Sequence, residues 1–296
     1  MSLLLSLLVT GISIGAIYAL VALGFVLLYK AAGVVNFAHG AVLLLGAYVT
    51  ARLWEGLGFW LAAAIGVVSG ALAALLVERI LTSPMREATP VALAILTIGV
   101  DIILTTELSR RMGPDIMVIR HPWGGAASQL GGISVPANRI IALAAAGVLI
   151  GGLFLAFRFT SWGIQLRAAA EDRETAALLG VRLGWVTASS WLLAGALAVV
   201  AGIFLAGSPT PGLSPAVGVI ALRALPAAIL GGLDSTAGAL VGGLIVGVAE
   251  TLAAGYQDHL LFLGRGFGDI APYVVMICVL LVRPAGLFGT REVGRV

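Results

Sequence analysis

Five polar or charged side chains fall where the sequence is otherwise apolar, and they define the chemistry open to this chain: Asn36, His39, Asp101, Arg223 and Glu250. An ion in hydrocarbon is costly unless paired or hydrated, so each marks either a structural contact or a route reached by water. Arg223 and Glu250 carry opposite charges and form a candidate pair, while Asp101 has Thr105 one turn on, or a neighbouring helix. Asn36 and His39 stand three apart and share a face if the stretch is helical, which suits either a cavity lining or a cross-link between helices. A proton relay would need acids strung through the bilayer depth, and no such series is present. Ser, His and acidic residues occur without catalytic spacing. The only lysine, Lys30, follows no Gly-rich loop, which argues against ATP hydrolysis by this chain. A single cysteine, Cys278, excludes an internal disulfide and a cysteine metal cluster and reads as a small core hydrophobe. His121 lacks a nearby ligand set, so no metal is expected.

These residues must be positioned by membrane-spanning helices. Hydrophobic residues make up 60% of the 296 and charged residues 10%, too little polar surface to cover a soluble fold. The apolar runs predict an all-α polytopic transmembrane bundle of eight or nine spans over a single domain, 1–296. The expected spans are roughly 3–29, 32–51, 56–77, 90–106, 140–157, 186–207, 214–233, 236–256 and 270–282. Arg223 and Pro226 interrupt the seventh, which reads as a broken or re-entrant helix. The first run lacks a basic leader and exceeds a signal-peptide core, so it reads as a retained helix. No length remains for a water-soluble domain, so any soluble engine has to be another chain. The formal charge of +3 is scattered over short loops without a basic arm, which excludes nucleic acid as a partner.

Loop charges set the orientation. Placing 158–185 in the cytoplasm puts Arg167, Arg173 and Arg182 inside with Lys30, Arg79, Arg86, Arg283, Arg291 and Arg295. Arg52, Arg110, Arg111, Arg120, Arg139 and Arg265 then lie outside. Trp54 and Trp60 flank an outer turn, and Trp162 and Trp185 bracket the inner loop, as interfacial indoles do. Gly11 and Gly15, Gly66 and Gly70, Gly147 and Gly151, and Gly243 and Gly247 have the spacing that lets helix backbones approach in lipid.

Two loops exceed simple turns. The external loop 107–139, which includes Asp115 and is punctuated by Gly113-Pro114, His121-Pro122-Trp123-Gly124-Gly125 and Gly131-Gly132, reads as an ordered loop or short hairpin, either docking an outside partner or capping the bundle. The cytoplasmic loop 158–185 holds a short mixed-charge helix from Arg167 to Gly180. Gly180 is its C-cap and Ala169, Ala170, Ala177 and Leu178 form an apolar strip, which fits a partner's groove or an interfacial helix.

Four stretches carry a family likeness. They are Val35-Asn36-Phe37-Ala38-His39-Gly40 with Gly46-Ala47-Tyr48; Arg167-Ala168-Ala169-Ala170-Glu171-Asp172 with Ala176-Ala177-Leu178-Leu179-Gly180; Ala227-Ala228-Ile229-Leu230-Gly231-Gly232-Leu233-Asp234-Ser235 with Gly238-Ala239 and Gly242-Gly243; and the ending Arg283-Pro284-Ala285-Gly286-Leu287-Phe288-Gly289. In this order the chain resembles the membrane permeases of high-affinity branched-chain amino acid ABC importers. The resemblance implies a non-catalytic subunit in the plasma membrane of a bacterium or archaeon, with a bacterial inner membrane the first choice. Its implied partners are a second related permease, two cytoplasmic ATP-binding subunits that hold ATP and Mg, and an extracytoplasmic substrate-binding protein; the chain itself would carry no cofactor. It also implies that Arg167, Glu171, Asp172, Leu178 and Gly180 couple to an ATPase. Related systems carry urea, short amides or small organic acids, so cargo stays open; a membrane enzyme or a structural scaffold fits fewer of the observations.

Overall fold

The computed structural model describes residues 2–85, 88–114, 116–124, 126–130, 133–207, 212–259 and 266–290. Arg86, Asp115, Gly125, Gly131, Gly132, Arg265, Arg291 and Arg295, used above for orientation and loop character, lie outside the described residues.

The first helix, α1 (Ser2–Ala32), has no proline and no charge before Lys30, and it stops where Gly33 takes φ +70°. A turn leads to α2 (His39–Leu57), and Gly58 at φ +76° separates it from α3 (Phe59–Leu76), whose end widens into a π-helical turn, Val77–Thr82. Thr89 caps α4 (Pro90–Met112) by accepting from the Ala92 N–H at 3.2 Å, with Pro90 at the position that lacks a helical partner anyway. Strands β1 (Ala127–Leu130) and β2 (Ile133–Pro136) pair antiparallel, Ala127 opposite Pro136, before α5 (Ala137–Phe159). Next come α6 (Ser161–Glu171), α7 (Arg173–Leu178), α8 (Leu183–Leu205), α9 (Ala216–Leu222), α10 (Ala224–Gly231), α11 (Thr236–Gly255) and α12 (Phe267–Val282).

The fold is the expected all-α polytopic bundle, but the count of eight or nine spans is corrected. Among the described residues six helices are long and apolar enough to cross a membrane: α1, α3 with its π-helical turn, α4, α5, α8 and α11. The reasons are local. Helix α2 loses six residues at its start to a turn and carries Arg52 and Glu55 near its end; the run at 216–231 is divided at Arg223; and α12 has 16 residues. The connection between α4 and α5 is shorter than 107–139, since α4 continues to Met112 and α5 begins at Ala137.

Helix α1 is the core element, with 89% of its most apolar stretch buried, against 17% for α4. It packs on α5, α8, α10 and α11. Glycines permit the closest approaches: a side chain at Gly15 would meet the Leu244 backbone at 2.8 Å, and one at Gly11 would meet Val248 at the same distance. A second seam joins α2, α3 and α8 at Gly46, Gly66, Gly70 and Gly195, filled by Val199 and Thr50. Residues 287–290 fold back against the end of α10. Leu287 and Phe288 donate to the carbonyls of Leu230 and Gly231 at 2.8 and 3.0 Å, and Thr290 N–H donates to Asp234 Oδ2 at 2.8 Å.

Candidate functional site

The break between α9 and α10 places Arg223 against two carboxylates. Its Nη1 lies 2.6 Å from Glu250 Oε1 on α11 and 3.0 Å from Asp269 Oδ1 in the first turn of α12. Tyr18 of α1 is buried beside the Glu250 and Arg223 side chains. One guanidinium thus joins four parts of the bundle, and the arginine at a helix break has its charge compensated rather than left in an apolar interior. The opposite charges of Arg223 and Glu250 make that contact legible in sequence; Tyr18, inside an apolar run, and Asp269, in a short terminal helix, gave no signal.

Asn36 and His39 do not share a helix face, because Gly33 ends α1 and α2 begins at His39. Asn36 lies in the turn. Its Oδ1 accepts the Ala38 N–H at 3.0 Å and its carbonyl accepts from His39 N at 3.4 Å. Phe37 N–H donates to Thr97 Oγ1 of α4 at 3.1 Å, so the turn is tied to that helix. The His39 ring is fully buried, 4.7 Å from the Phe25 ring and against Gly24, the glycine leaving room for it. Asp101, midway along α4, lies by the backbone N–H of Ala41 in the first turn of α2. A carboxylate there complements the unsatisfied amides and dipole of a helix start. Asn36, His39 and Asp101 therefore converge on one feature, the start of α2, while Arg223 and Glu250 form another.

The loop 158–185 contains two helices, because the chain breaks at Asp172. That carboxylate caps α7, accepting from Thr175 N at 3.0 Å and Thr175 Oγ1 at 2.9 Å. Gly180, at φ +87°, closes α7: its N–H bonds the Ala177 carbonyl and that of Val181 bonds Ala176, both at 3.0 Å. The break also divides the expected apolar strip, so Ala169 turns inward while Ala170, Ala177 and Leu178 face out. Glu171 is exposed, and Leu178 and Leu179 retain 88% and 79% of their accessible surface. Around this exposed tip the segment is anchored. Arg167 donates to the Phe157 carbonyl of α5, Trp162 Nε1 to Ser189 Oγ of α8 at 2.8 Å, and Arg173 to the Ala31 carbonyl of α1.

At the other large connection, His121 stacks on Trp123 with centroids 5.0 Å apart, and Phe59 meets both rings edge-on. Trp123 Nε1 donates to Asn138 Oδ1 at 3.1 Å. Burial pushes the His121 pKa down, favouring neutral imidazole. Among the described residues no group of three or more His, Cys, Asp or Glu side chains could hold a metal ion. Cys278, expected in the core, is instead exposed on α12, the helix presenting that side outward.

These features define a bundle with internal ion pairs and one rigidly mounted exposed helix. The family model for the permease component of the branched-chain amino acid transport system matches residues 7–280, and the chain belongs to that family. It is a multi-pass membrane protein and a non-catalytic permease subunit. The chain is 31% identical to the high-affinity branched-chain amino acid transport system permease protein LivH of Salmonella typhimurium, over 97% of this chain and 96% of the relative. It is 30% identical to the corresponding protein BraD of Pseudomonas aeruginosa, with 98% and 97% covered. A probable branched-chain amino acid transport permease protein LivH of Methanocaldococcus jannaschii is 31% identical, with 91% and 88% covered.

Proposed function

We propose that this permease forms part of the pathway by which branched-chain amino acids enter the cytoplasm, driven by ATP hydrolysis in separate subunits. It works in the plasma membrane of a bacterium or archaeon with a second permease, two cytoplasmic ATP-binding subunits and an external substrate-binding protein. The cargo reading is supported by near full-length similarity to relatives so named. Permeases for urea, short amides or small organic acids are the alternative that a cargo competition decides.

The observation that carries the mechanism is the mounting of α7. Exposed Leu178 and Leu179 stand at the tip of α7, which is closed at both ends by Asp172 and Gly180 and tied to α1 through Arg173, while α6 before it is tied to α5 and α8 through Arg167 and Trp162. An ATPase groove gripping this tip would move three long helices together, a rigid-body transfer rather than a bending loop. Arg167, Glu171, Asp172, Leu178 and Gly180 are assigned to coupling on that basis, within a cytoplasmic segment 158–185. The opposite connection, with Trp123, is assigned to the outside, and residues 1–296 form one transmembrane domain. Asn36, His39, Asp101, Arg223 and Glu250 are assigned to the polar framework bordering the pathway, where the α2 start and the α9/α10 break interrupt regular helix.

Reconstitution of the whole transporter tests both parts. Uptake of labelled leucine should be competed by isoleucine and valine and not by urea, short amides or organic acids; competition by the latter group alone would reverse the cargo assignment. In the same vesicles Asp172→Lys or Gly180→Leu should lower uptake at least ten-fold while assembly and receptor binding persist. Assembled variants with normal stimulated ATP hydrolysis and uptake would remove the coupling assignment.

A further inference from the structure

A cleft of about 500 Å³ lies where α6 passes the start of α8, within the ~300–1,000 Å³ range of small-molecule pockets. The described residues that line it are Gln165 of α6, Gly180, Arg182 and, in the first turn of α8, Trp185. None is acidic, and three carry N–H donors that suit an anion: a side-chain amide, a guanidinium and an indole. Gly180, Arg182 and Trp185 are exposed and Gln165 is half-buried, so the donors can be reached from outside. The arginines of 158–185 differ in what they hold. Arg167 and Arg173 donate to the Phe157 and Ala31 carbonyls, and Arg158 lies over the Phe159 ring, 5.4 Å from its centroid. Arg182 has no side-chain hydrogen bond or ion pair among the described residues, and it leads into α8 without capping it. Its charge therefore stands uncompensated beside the cleft. Helix α5 ends at Phe159 and α8 begins at Leu183, and both are long and apolar enough to cross a membrane, so the cleft lies at a membrane surface. Ile164, next to Gln165, and Phe159 are exposed as well, giving the cation an apolar rim with the Trp185 indole. A soluble anion would use the donors alone, whereas a lipid uses donors and rim together.

We propose that this cleft holds the headgroup of an anionic phospholipid, with its phosphate on Arg182 and Gln165, the Trp185 indole at its glycerol backbone, and its acyl chains over Trp185 and Ile164. Guanidinium and phosphate match in shape and charge, and a basic pocket at a membrane surface draws on the negative potential of the leaflet as well as on direct contact. Gly180 both closes α7 and forms one wall of the cleft, so a lipid bound here braces the end of that helix from the membrane side. The inference needs only the membrane location of the chain and stands whatever the cargo.

The test measures binding of labelled phosphatidylglycerol to the purified full-length chain in detergent, and then to the transporter assembled with its ATP-binding subunits. Phosphatidylglycerol should bind roughly ten-fold more tightly than phosphatidylcholine, whose phosphate is compensated by its own cation. Arg182→Gln should weaken that binding about ten-fold, the loss of a charge-assisted hydrogen bond, and Arg182→Lys should weaken it less. Gln165→Leu should cost about five-fold, as one neutral hydrogen bond does. Glycerol phosphate and inorganic phosphate in large excess should leave the lipid in place. In nanodiscs, amide exchange over 176–182 should be slower with phosphatidylglycerol than with phosphatidylcholine alone, and Arg182→Gln should remove the difference. If Arg182→Gln inserts poorly, Gln165→Leu decides. Equal binding of the two lipids, or binding undiminished in the deciding variant, overturns the proposal. Displacement by inorganic phosphate overturns it in favour of a soluble anion. Loss of the bound lipid when the ATP-binding subunits assemble overturns it by giving the cleft to those subunits.

Discussion

Two glycine pairs with the same four-residue spacing meet opposite fates in this bundle. Gly11 and Gly15 of α1 lie against the backbone of α11, whose Gly243 and Gly247 press back on Ala19 and Gly15. Gly147 and Gly151 of α5 have open space where a side chain would stand, as does Gly152. The spacing only permits close approach; whether a helix takes the place depends on what the facing element can offer. Helix α11 offers glycines of its own at the matching level, so the two backbones interlock. Among the described residues nothing offers α5 the same, and that face stays open.

The largest effect should come from filling the closed seam. Gly15→Leu forces α1 away from α11, and a cost of about 3 kcal/mol or more is expected for overpacking where backbone is the obstacle. Loss of the monodisperse purified protein, or a large fall in its thermal midpoint, would register it; an unchanged midpoint would mean the seam is loose. Arg223→Met tests the same side of the bundle by charge, leaving Glu250 and Asp269 facing each other without the guanidinium. A loss of about 2–3 kcal/mol is expected, below that of a wholly buried pair because Asp269 is largely exposed. The double variant Arg223→Met, Glu250→Gln should regain part of it, and failure to do so would place the role of Arg223 elsewhere. The smallest effect belongs to Gly151→Leu on the open face, within about 0.5 kcal/mol for the isolated chain. A loss equal to that of Gly15→Leu would erase the contrast between the two pairs.

Sequence revealed the helical class, since long apolar runs in a chain this poor in charge have few other uses. It revealed the Arg223 and Glu250 contact because opposite charges in apolar surroundings have strong reason to meet. It concealed the start of α2: Gly33 looked like one more small residue in a span, yet its positive φ ends α1 and shifts Asn36 into a turn, so spacing of three no longer meant a shared face. The partner of Asp101 was hidden for a related reason, because the amide it faces exists as an unsatisfied donor only once α2 begins at His39. The division of the segment 158–185 at Asp172 was obscured by strong helix formers on either side, where a capping carboxylate outweighed helix propensity.

The fold-back of residues 287–290 on α10 has a consequence in time. Asp234 waits for Thr290, 56 residues later in the chain, and the Leu230 and Gly231 carbonyls wait one residue longer for Leu287 and Phe288. At ~5–20 residues per second of synthesis that interval is roughly 3–11 s. Through it the lower end of α10 has to be sheltered by water, lipid headgroups or the insertion machinery. A release of the chain before residue 287 would leave those carbonyls without the partners they have here, making residues 287–290 the latch on a helix inserted long before them.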